Sequence, residues 1–249
     1  MDFESYLSHI PDLHSWDGGK TWNSGGFGPS HLQAFRELAL LCGGNNAVIL
    51  ETGAGNSTLA FLYATPTKLI SIAPDGQIFE RILRFCAEHS IDISPLDVHV
   101  ERSEWVLPEL ARNDLRVDLA LIDGGHGWPT VFVDFCYVNA MLRNGGILVI
   151  DDVNLHSIKE LGRLLKKDET RFALVKDMGK CIAFKKLTCE RFLPEWDGQP
   201  YIIEQSSRYS KSSFPYELFY PNPPNLLLKR NILKLKRIYW KIYWKLRQH

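Results

Sequence analysis

Three short stretches gather the side chains able to do chemistry. Leu121-Ile122-Asp123-Gly124-Gly125-His126 and Ile147-Leu148-Val149-Ile150-Asp151-Asp152 each run from apolar residues into carboxylates, the first with an imidazole three residues further on. A third, Ile49-Leu50-Glu51-Thr52-Gly53-Ala54-Gly55-Asn56-Ser57-Thr58, stops at Glu51 and turns through two glycines one residue apart. Histidine, with an ordinary pKa of about 6.5, is mostly neutral near neutrality and able to accept a proton. Three carboxylates, Asp123, Asp151 and Asp152, suit a hard divalent cation such as Mg2+. Packed together without one, they raise one another's pKa, so the cluster calls for a metal or a protonated carboxyl. Plainer readings stand beside these: Asp151 or Asp152 caps a following helix, and His126 only orients its loop.

What must position these groups is visible in the alternation around them. Short apolar runs at 47–50, 69–72, 98–101, 117–122 and 147–150 read as strands, with helical patterns at 57–63, 77–89, 104–112 and 129–142 between them. Nearly all-apolar strands separated by helices predict an α/β, Rossmann-like, doubly wound parallel sheet covered on both faces. A further helix at 157–167 precedes a hairpin of 172–176 and 180–186, which makes seven strands and ends the sheet antiparallel. Before the sheet, Ser30-His31-Leu32-Gln33 has the form of a capping box opening a helix that runs to Leu41.

In an open parallel sheet the loop after the first strand is the usual floor of a ligand site. Gly53 and Gly55 permit close backbone approach, but a dinucleotide fingerprint needs a third small residue where Thr58 stands. No lysine follows the glycines, which excludes a P-loop. A tight strand-to-helix turn with no ligand remains the alternative for this loop on its own. Taken together, Glu51-x-Gly53-x-Gly55, Asp123-Gly124-Gly125-His126 and Gly145-Gly146-Ile147-Leu148-Val149-Ile150-Asp151-Asp152 resemble the class I S-adenosylmethionine-dependent methyltransferases. The resemblance is strongest to small-molecule O-methyltransferases of the macrocin and catechol type, and covers residues 45–186.

That resemblance implies a set of roles. Glu51 would attract the cofactor's ammonium, and Gly53, Gly55, Asn56, Ser57 and Thr58 would receive its carboxylate at a helix N-terminus. The second strand should end in an acid that holds the ribose; Ala73 stands there, with Asp75 able to reach back from the loop. Ser103 and Glu104 fall in the adenine-contacting region, although Ser103 also reads as a helix cap. Asp123 and Gly124 complete the cofactor-binding positions. Asp123, Asp151 and Asp152 match the magnesium ligands of the catechol-type enzymes, with Asp in place of Asn in the pair. His126 stands where those enzymes place a lysine base. Trp128 is either an acceptor wall or a packing residue, and Asp134, inside the next helix, reads as structural. The expected reaction is methyl transfer to an oxygen of a small-molecule acceptor, whether sugar, phenolic or lipid-linked. A nicotinamide-dependent oxidoreductase, opposed by Thr58, and a non-catalytic methyltransferase-fold adaptor are the competing readings.

The 249 residues, 45% of them apolar, suffice for one domain with appendages. The expected divisions are an arm and helix at 1–44, with the arm a candidate lid, the methyltransferase-like domain at 45–187, an irregular Pro- and aromatic-rich extension at 188–225, and a helix at 226–249. Five scattered cysteines form no C-x-x-C pair, which argues against a disulfide framework or zinc site. Neither a leader-like N-terminus nor a long apolar run is present, so a cytoplasmic address without a spanning helix is expected. Net charge is zero, yet 226–249 carries eight basic residues and no acid. That run, LLLKRNILKLKRIYWKIYWKLRQH, has helical apolar spacing with aromatics. It reads as an amphipathic helix for an anionic membrane surface, or as one docked on its own domain or a partner subunit. Nucleic acid is the least favoured partner. One copy of an S-x-D-x-G-x-T-W pattern at Ser15–Trp22 resembles the Asp-box of propellers, but a single copy before an α/β pattern reads as a local turn.

Overall fold

A computed structural model describes residues 1–15, 22–23 and 26–213. The Asp-box-like stretch and the basic run at 226–249 therefore lie largely or wholly outside the described residues. Within Met1–Pro194, one compact unit, α1 (Phe3–Ser8), the two-residue strands β1 (His14–Ser15) and β2 (Trp22–Asn23), and α2 (Pro29–Leu41) precede the main sheet. There follow β3 (Val48–Thr52), α3 (Asn56–Leu62), β4 (Lys68–Ile72), α4 (Gly76–His89), β5 (Leu96–His99), α5 (Ser103–Arg112), β6 (Val117–Ile122) and α6 (Thr130–Met141). The unit closes with β7 (Leu142–Ile150), α7 (His156–Lys167), β8 (Phe172–Asp177) and β9 (Ile182–Lys186).

The seven-stranded sheet has the order β5-β4-β3-β6-β7-β9-β8, parallel from β5 to β7, with β9 antiparallel to both β7 and β8. This is the doubly wound sheet with a terminal hairpin that the apolar runs predict. Strand pleating divides the side chains: Ile49, Leu69, Leu119, Leu121, Val149 and Ala183 join Tyr6, Phe35, Phe61 and Phe79 in one core. Their neighbours Leu50, Ile70, Ala120, Ile122, Leu148 and Ile150, equally buried, turn to the opposite face, where α6 contacts both α5 and α7. Because β4 and β6 flank β3 on opposite sides, the chain reverses its winding there and leaves a crevice at the strand carboxyl ends.

Several local expectations are corrected. Helix α2 starts at Pro29 with Gly28 as its N-cap, so Ser30-x-x-Gln33 is no capping box; Gln33 Nε2 instead donates forward to Glu37 Oε1 at 3.0 Å. Proline at the first helical position needs no N–H partner, which fixes the start. Helix α6 ends at Met141 and passes straight into β7, whose Asn144-Gly145 bend shifts the register against β6 between Val117 and Leu119. The first part of the arm holds α1, capped by Asp2 through the Ser5 amide at 2.8 Å. In the second compact unit, which begins at Glu195, Pro200–Ser213 forms α8 where an irregular segment is expected; Pro200 sits in its first turn, the one helical position that suits proline.

Candidate active site

Backbone hydrogen bonds extend the sheet by one residue past three strand ends. Gly53 N–H donates to Ile72 O at 2.9 Å, Asp123 N–H to Thr52 O at 2.9 Å, and Asp151 N–H to Ile122 O at 3.1 Å. The first residues after β3, β6 and β7 are thereby pinned side by side. Beyond them opens a cavity of about 660 Å³ lined by Gly53, Ala73, Asp75, Ile78, Ser103, Glu104, Asp123, Gly124, His126, Asp151 and Asp152, among others. A site of a few hundred cubic ångströms holds a ligand of nucleoside size.

The glycine turn forms one wall. Gly53 has φ +89°, and a Cβ there would lie 2.4 Å from the Asp123 carbonyl oxygen, so glycine is required both for the turn and for the approach of the next loop. At Gly55 a Cβ would come within 2.3 Å of His14 Nε2, since the arm lays that ring against the turn. Glu51 lies beneath the loop, fully buried and away from the cavity lining. Its carboxylate accepts from Ser57 Oγ at 2.7 Å, from Ser71 Oγ at 2.7 Å and from Thr58 Oγ1. Thr58 Oγ1 in turn accepts from Gly55 N–H at 3.0 Å. Burial pushes the Glu51 carboxyl up to about 7 despite the three hydroxyl donors.

The expected loop residues are placed as follows. Glu51 is bound by hydroxyls and does not line the cavity. Asn56, Ser57 and Thr58 are buried and do not line the cavity, and the Gly55 amide is taken by Thr58. Helix α3 has seven residues. Of this loop, Gly53 and Ala54 line the cavity.

The second strand's end lies opposite. Ala73 lines the cavity, as does Asp75, whose Oδ1 accepts from Gln77 N–H at 2.9 Å and caps α4. Ser103 does not cap α5: Arg102 is the N-cap, and Ser103 is its first helical residue, facing the cavity. Glu104 Oε1 accepts from Arg102 Nη2 at 2.9 Å and from Thr130 Oγ1 at 2.9 Å, and the Arg102 guanidinium leads in holding its carboxyl down to about 2. Trp128 is exposed and stacks on Phe132, ring centroids 4.5 Å apart. Asp134 is buried behind the cavity wall, its Oδ2 3.5 Å from where a Gly124 Cβ would stand, and burial pushes its carboxyl up to about 6.

The acidic rim closes the site. His126 Nδ1 lies 3.1 Å from Asp152 Oδ2, and Nε2 lies 3.4 Å from Asp123 Oδ1, buried and without a hydrogen bond. Asp123 is raised well above the ordinary range by burial and by neighbouring Asp151. In Asp151, hydrogen bonds from Asp123, Cys181 and Lys180 outweigh the effect of burial and hold the carboxyl below its usual value. The opposite shifts of the two carboxyls make Asp123 the member of the pair that favours the protonated form. His126 is raised above 6.5 by its contact with Asp123, against burial, with Asp152 and Asp151 adding to the rise.

Two residues here carry no mark in the sequence. The β7–β9 register pairs Val149 with Ala183 and Ile150 with Ile182. Continued two steps, it sets Cys181 beside Asp151 and Lys180 beside Asp152. Cys181 Sγ donates to Asp151 Oδ1 at 2.7 Å, and Lys180 Nζ donates to Asp151 Oδ2 at 3.0 Å while lying 3.6 Å from Asp152 Oδ1. Val153 N–H bonds the Lys180 carbonyl at 2.9 Å, fixing the turn. His14, which also lines the cavity, lies in the arm, where nothing in the local sequence ties it to the glycine turn.

The donor set does not fit the expected Mg2+. The donor atoms that come within 4.8 Å of one another are those of Asp123, His126 and Asp151, not the expected Asp123, Asp151 and Asp152; one of them is a ring nitrogen, whereas Mg2+ favours oxygen in near-octahedral array. Asp151 has both oxygens engaged, one by an ammonium. A second cation about 4 Å from that ammonium would meet about 4 kcal/mol of repulsion per unit of charge.

Comparison with known proteins agrees with this fold. Residues 50–153 match the family model described as Methyltransferase domain. No curated protein matches the chain. Among solved structures, the chain is similar to the O-methyltransferase TomG from Streptomyces achromogenes, involved in tomaymycin synthesis and solved with S-adenosylmethionine. The two share 19% identity over 65% of this chain and 82% of that one, with a TM-score of 0.56. It is also similar to an O-methyltransferase from Bacillus cereus in complex with S-adenosylhomocysteine, at 16% identity over 66% and 84% of the two chains, TM-score 0.54.

Proposed function

We propose that this protein transfers the methyl group of S-adenosylmethionine to a hydroxyl oxygen of a small-molecule acceptor. The observation that carries the reading is the convergence, in one cavity at the sheet's switch point, of the glycine turn after β3 with the His126–Asp152 pair after β6 and β7. The cavity suits this cofactor. Its cations Arg102 and Lys180 are each paired with a carboxylate of the lining; its acids, Asp75, Glu104, Asp151 and Asp152, suit a cationic ligand, and Ile78 and Ala73 suit an apolar ring. Bound there, S-adenosylmethionine would supply an electrophilic methyl on a positively charged sulfur.

The chain's own task is to orient the acceptor and remove its proton. Asp152 Oδ2 lies 3.1 Å from His126 Nδ1, a placement that favours the proton on Nδ1 and leaves Nε2 as the basic nitrogen. As the acceptor oxygen forms its bond to the methyl carbon, Nε2 takes the hydroxyl proton; a positioned base of this kind contributes about 10²–10⁴-fold. Sugar, phenolic and lipid-linked hydroxyls all meet this requirement. The Thr58 hydroxyl tie to Glu51 and Gly55 stands where a dinucleotide loop needs a small residue, which disfavours the oxidoreductase reading. Isothermal titration tests the proposal: S-adenosylmethionine should bind one per chain, be displaced by S-adenosylhomocysteine, and be unaffected by NADH. Heat on adding NADH and none on adding S-adenosylmethionine would reverse it.

Attachment to an anionic membrane through 226–249 remains a proposal from its sequence, tested by co-sedimentation with anionic vesicles before and after deletion of that run. Among the described residues no helix is long and apolar enough to cross a membrane.

A further inference from the structure

The rim already contains a cation. Lys180 Nζ lies 3.0 Å from Asp151 Oδ2, 3.6 Å from Asp152 Oδ1, and 4.4 Å from the centroid of the Phe27 ring. Its surroundings are thus two carboxylates and an aromatic face, the partners that hold an ammonium against solvent. Its position is fixed from the backbone: the antiparallel β7–β9 register brings it opposite Asp152, Val153 N–H holds its carbonyl, and the turn before it closes through Met178 N–H to Cys181 O at 2.9 Å. Gly26, where a Cβ would stand 3.4 Å from Nζ, lets the arm approach the ammonium.

We propose that Lys180 is a built-in replacement for a divalent metal at this rim: its ammonium occupies the space between the strand-end carboxylates, and the site works without Mg2+. In this arrangement Lys180 is a positioning residue. It neutralises Asp151 and Asp152 and holds Asp152 where that carboxylate can receive Nδ1–H of His126. A lysine here supplies one charge where a metal would supply two and presents no open coordination position. The acceptor oxygen is therefore activated by the imidazole alone, and no pair of neighbouring acceptor oxygens is needed to chelate an ion. The substrate class this favours is a single hydroxyl, with no requirement for a vicinal diol. The consequence for the acceptor rests on the methyl-transfer reading, whereas the exclusion of metal does not.

Manganese binding, followed by the electron paramagnetic resonance signal of free Mn2+ without cofactor or acceptor, tests the two apart. The wild-type chain and Lys180→Arg should leave the Mn2+ signal undiminished. Lys180→Met, which keeps the aliphatic stem and frees the acids, should bind one Mn2+ per chain at least about 10³-fold more tightly than the wild type. Lys180→Gln repeats the measurement should the methionine variant fail to fold by near-ultraviolet circular dichroism. A wild-type chain that binds one Mn2+ as tightly as the variants, with that binding lost in Asp151→Asn, overturns the proposal; so does a folded Lys180 variant that binds none. Failure of S-adenosylmethionine to bind in the separate titration would remove the methyl-transfer reading and leave the metal result standing.

Discussion

Two parts of the same sheet edge treat their polar groups in opposite ways. At the glycine turn, Glu51 is fully buried and receives three hydroxyls, one of which passes a hydrogen bond on from Gly55. At the rim, Asp123, His126, Asp151, Asp152 and Lys180 balance one another's charge, yet His126 Nε2 is left buried without a hydrogen bond. A saturated network holds shape, because every change in it leaves a buried group unpaired. An unsatisfied ring nitrogen is costly to the fold and useful to a substrate proton. The contrast assigns structure to the first region and chemistry to the second, although both hold acids at strand ends.

The comparison can be broken or sharpened by substitution. The largest effect belongs to the rim: His126→Ala should lower methyl transfer by about 10²–10⁴-fold while S-adenosylmethionine still binds by calorimetry. At the turn, Gly53→Ala should leave little to measure in catalysis alone. A residue with φ +89° and a Cβ 2.4 Å from a carbonyl oxygen combines backbone strain of about 1–2 kcal/mol with overpacking of about 1–3 kcal/mol, read as a lower denaturation midpoint.

Glu51 makes a pH-dependent version of the same test. Its carboxyl is raised from 4.5 to about 7 in the fold, so between those values the folded chain keeps a proton that the unfolded chain sheds. Its contribution is complete below pH 4.5 and is lost as pH rises to about 7, an effect of about 3 kcal/mol. Urea denaturation across that range should show Glu51→Gln lacking this decline. The smallest effect is at Asp152. Because that carboxylate helps raise His126, Asp152→Asn should move the acidic limb of the rate profile to lower pH by about one unit or less. In the wild type, the rate should climb as pH rises through a His126 pKa above 6.5, since only the neutral ring accepts a proton.

The sheet was legible because its strands are buried on both faces and read as unbroken apolar runs. The meeting of Asp123 and His126 with Asp151 and Asp152 was legible for the same reason: a parallel sheet places successive strand ends along one edge. The hydroxyl cage of Glu51 was not legible because its partners come from two further places: Ser57 and Thr58 from the next helix, and Ser71 from the paired position on β4. Sequence spacing does not show which way a carboxylate at a strand end turns. Lys180 and Cys181 were missed because they depend on the register of β9 against β7, which no local pattern states. Helix α8 was hidden by the prolines around it; Pro200 stands at the helix's start and does not break it.

Hydrogen–deuterium exchange with and without S-adenosylmethionine tests most directly whether the cavity between turn and rim is the cofactor site. Saturating cofactor should slow exchange in peptides covering 53–55, 73–75, 102–104 and 123–126, and leave the buried Glu51 cage, already protected, unchanged. Protection confined to other parts of the chain at saturation would contradict the account.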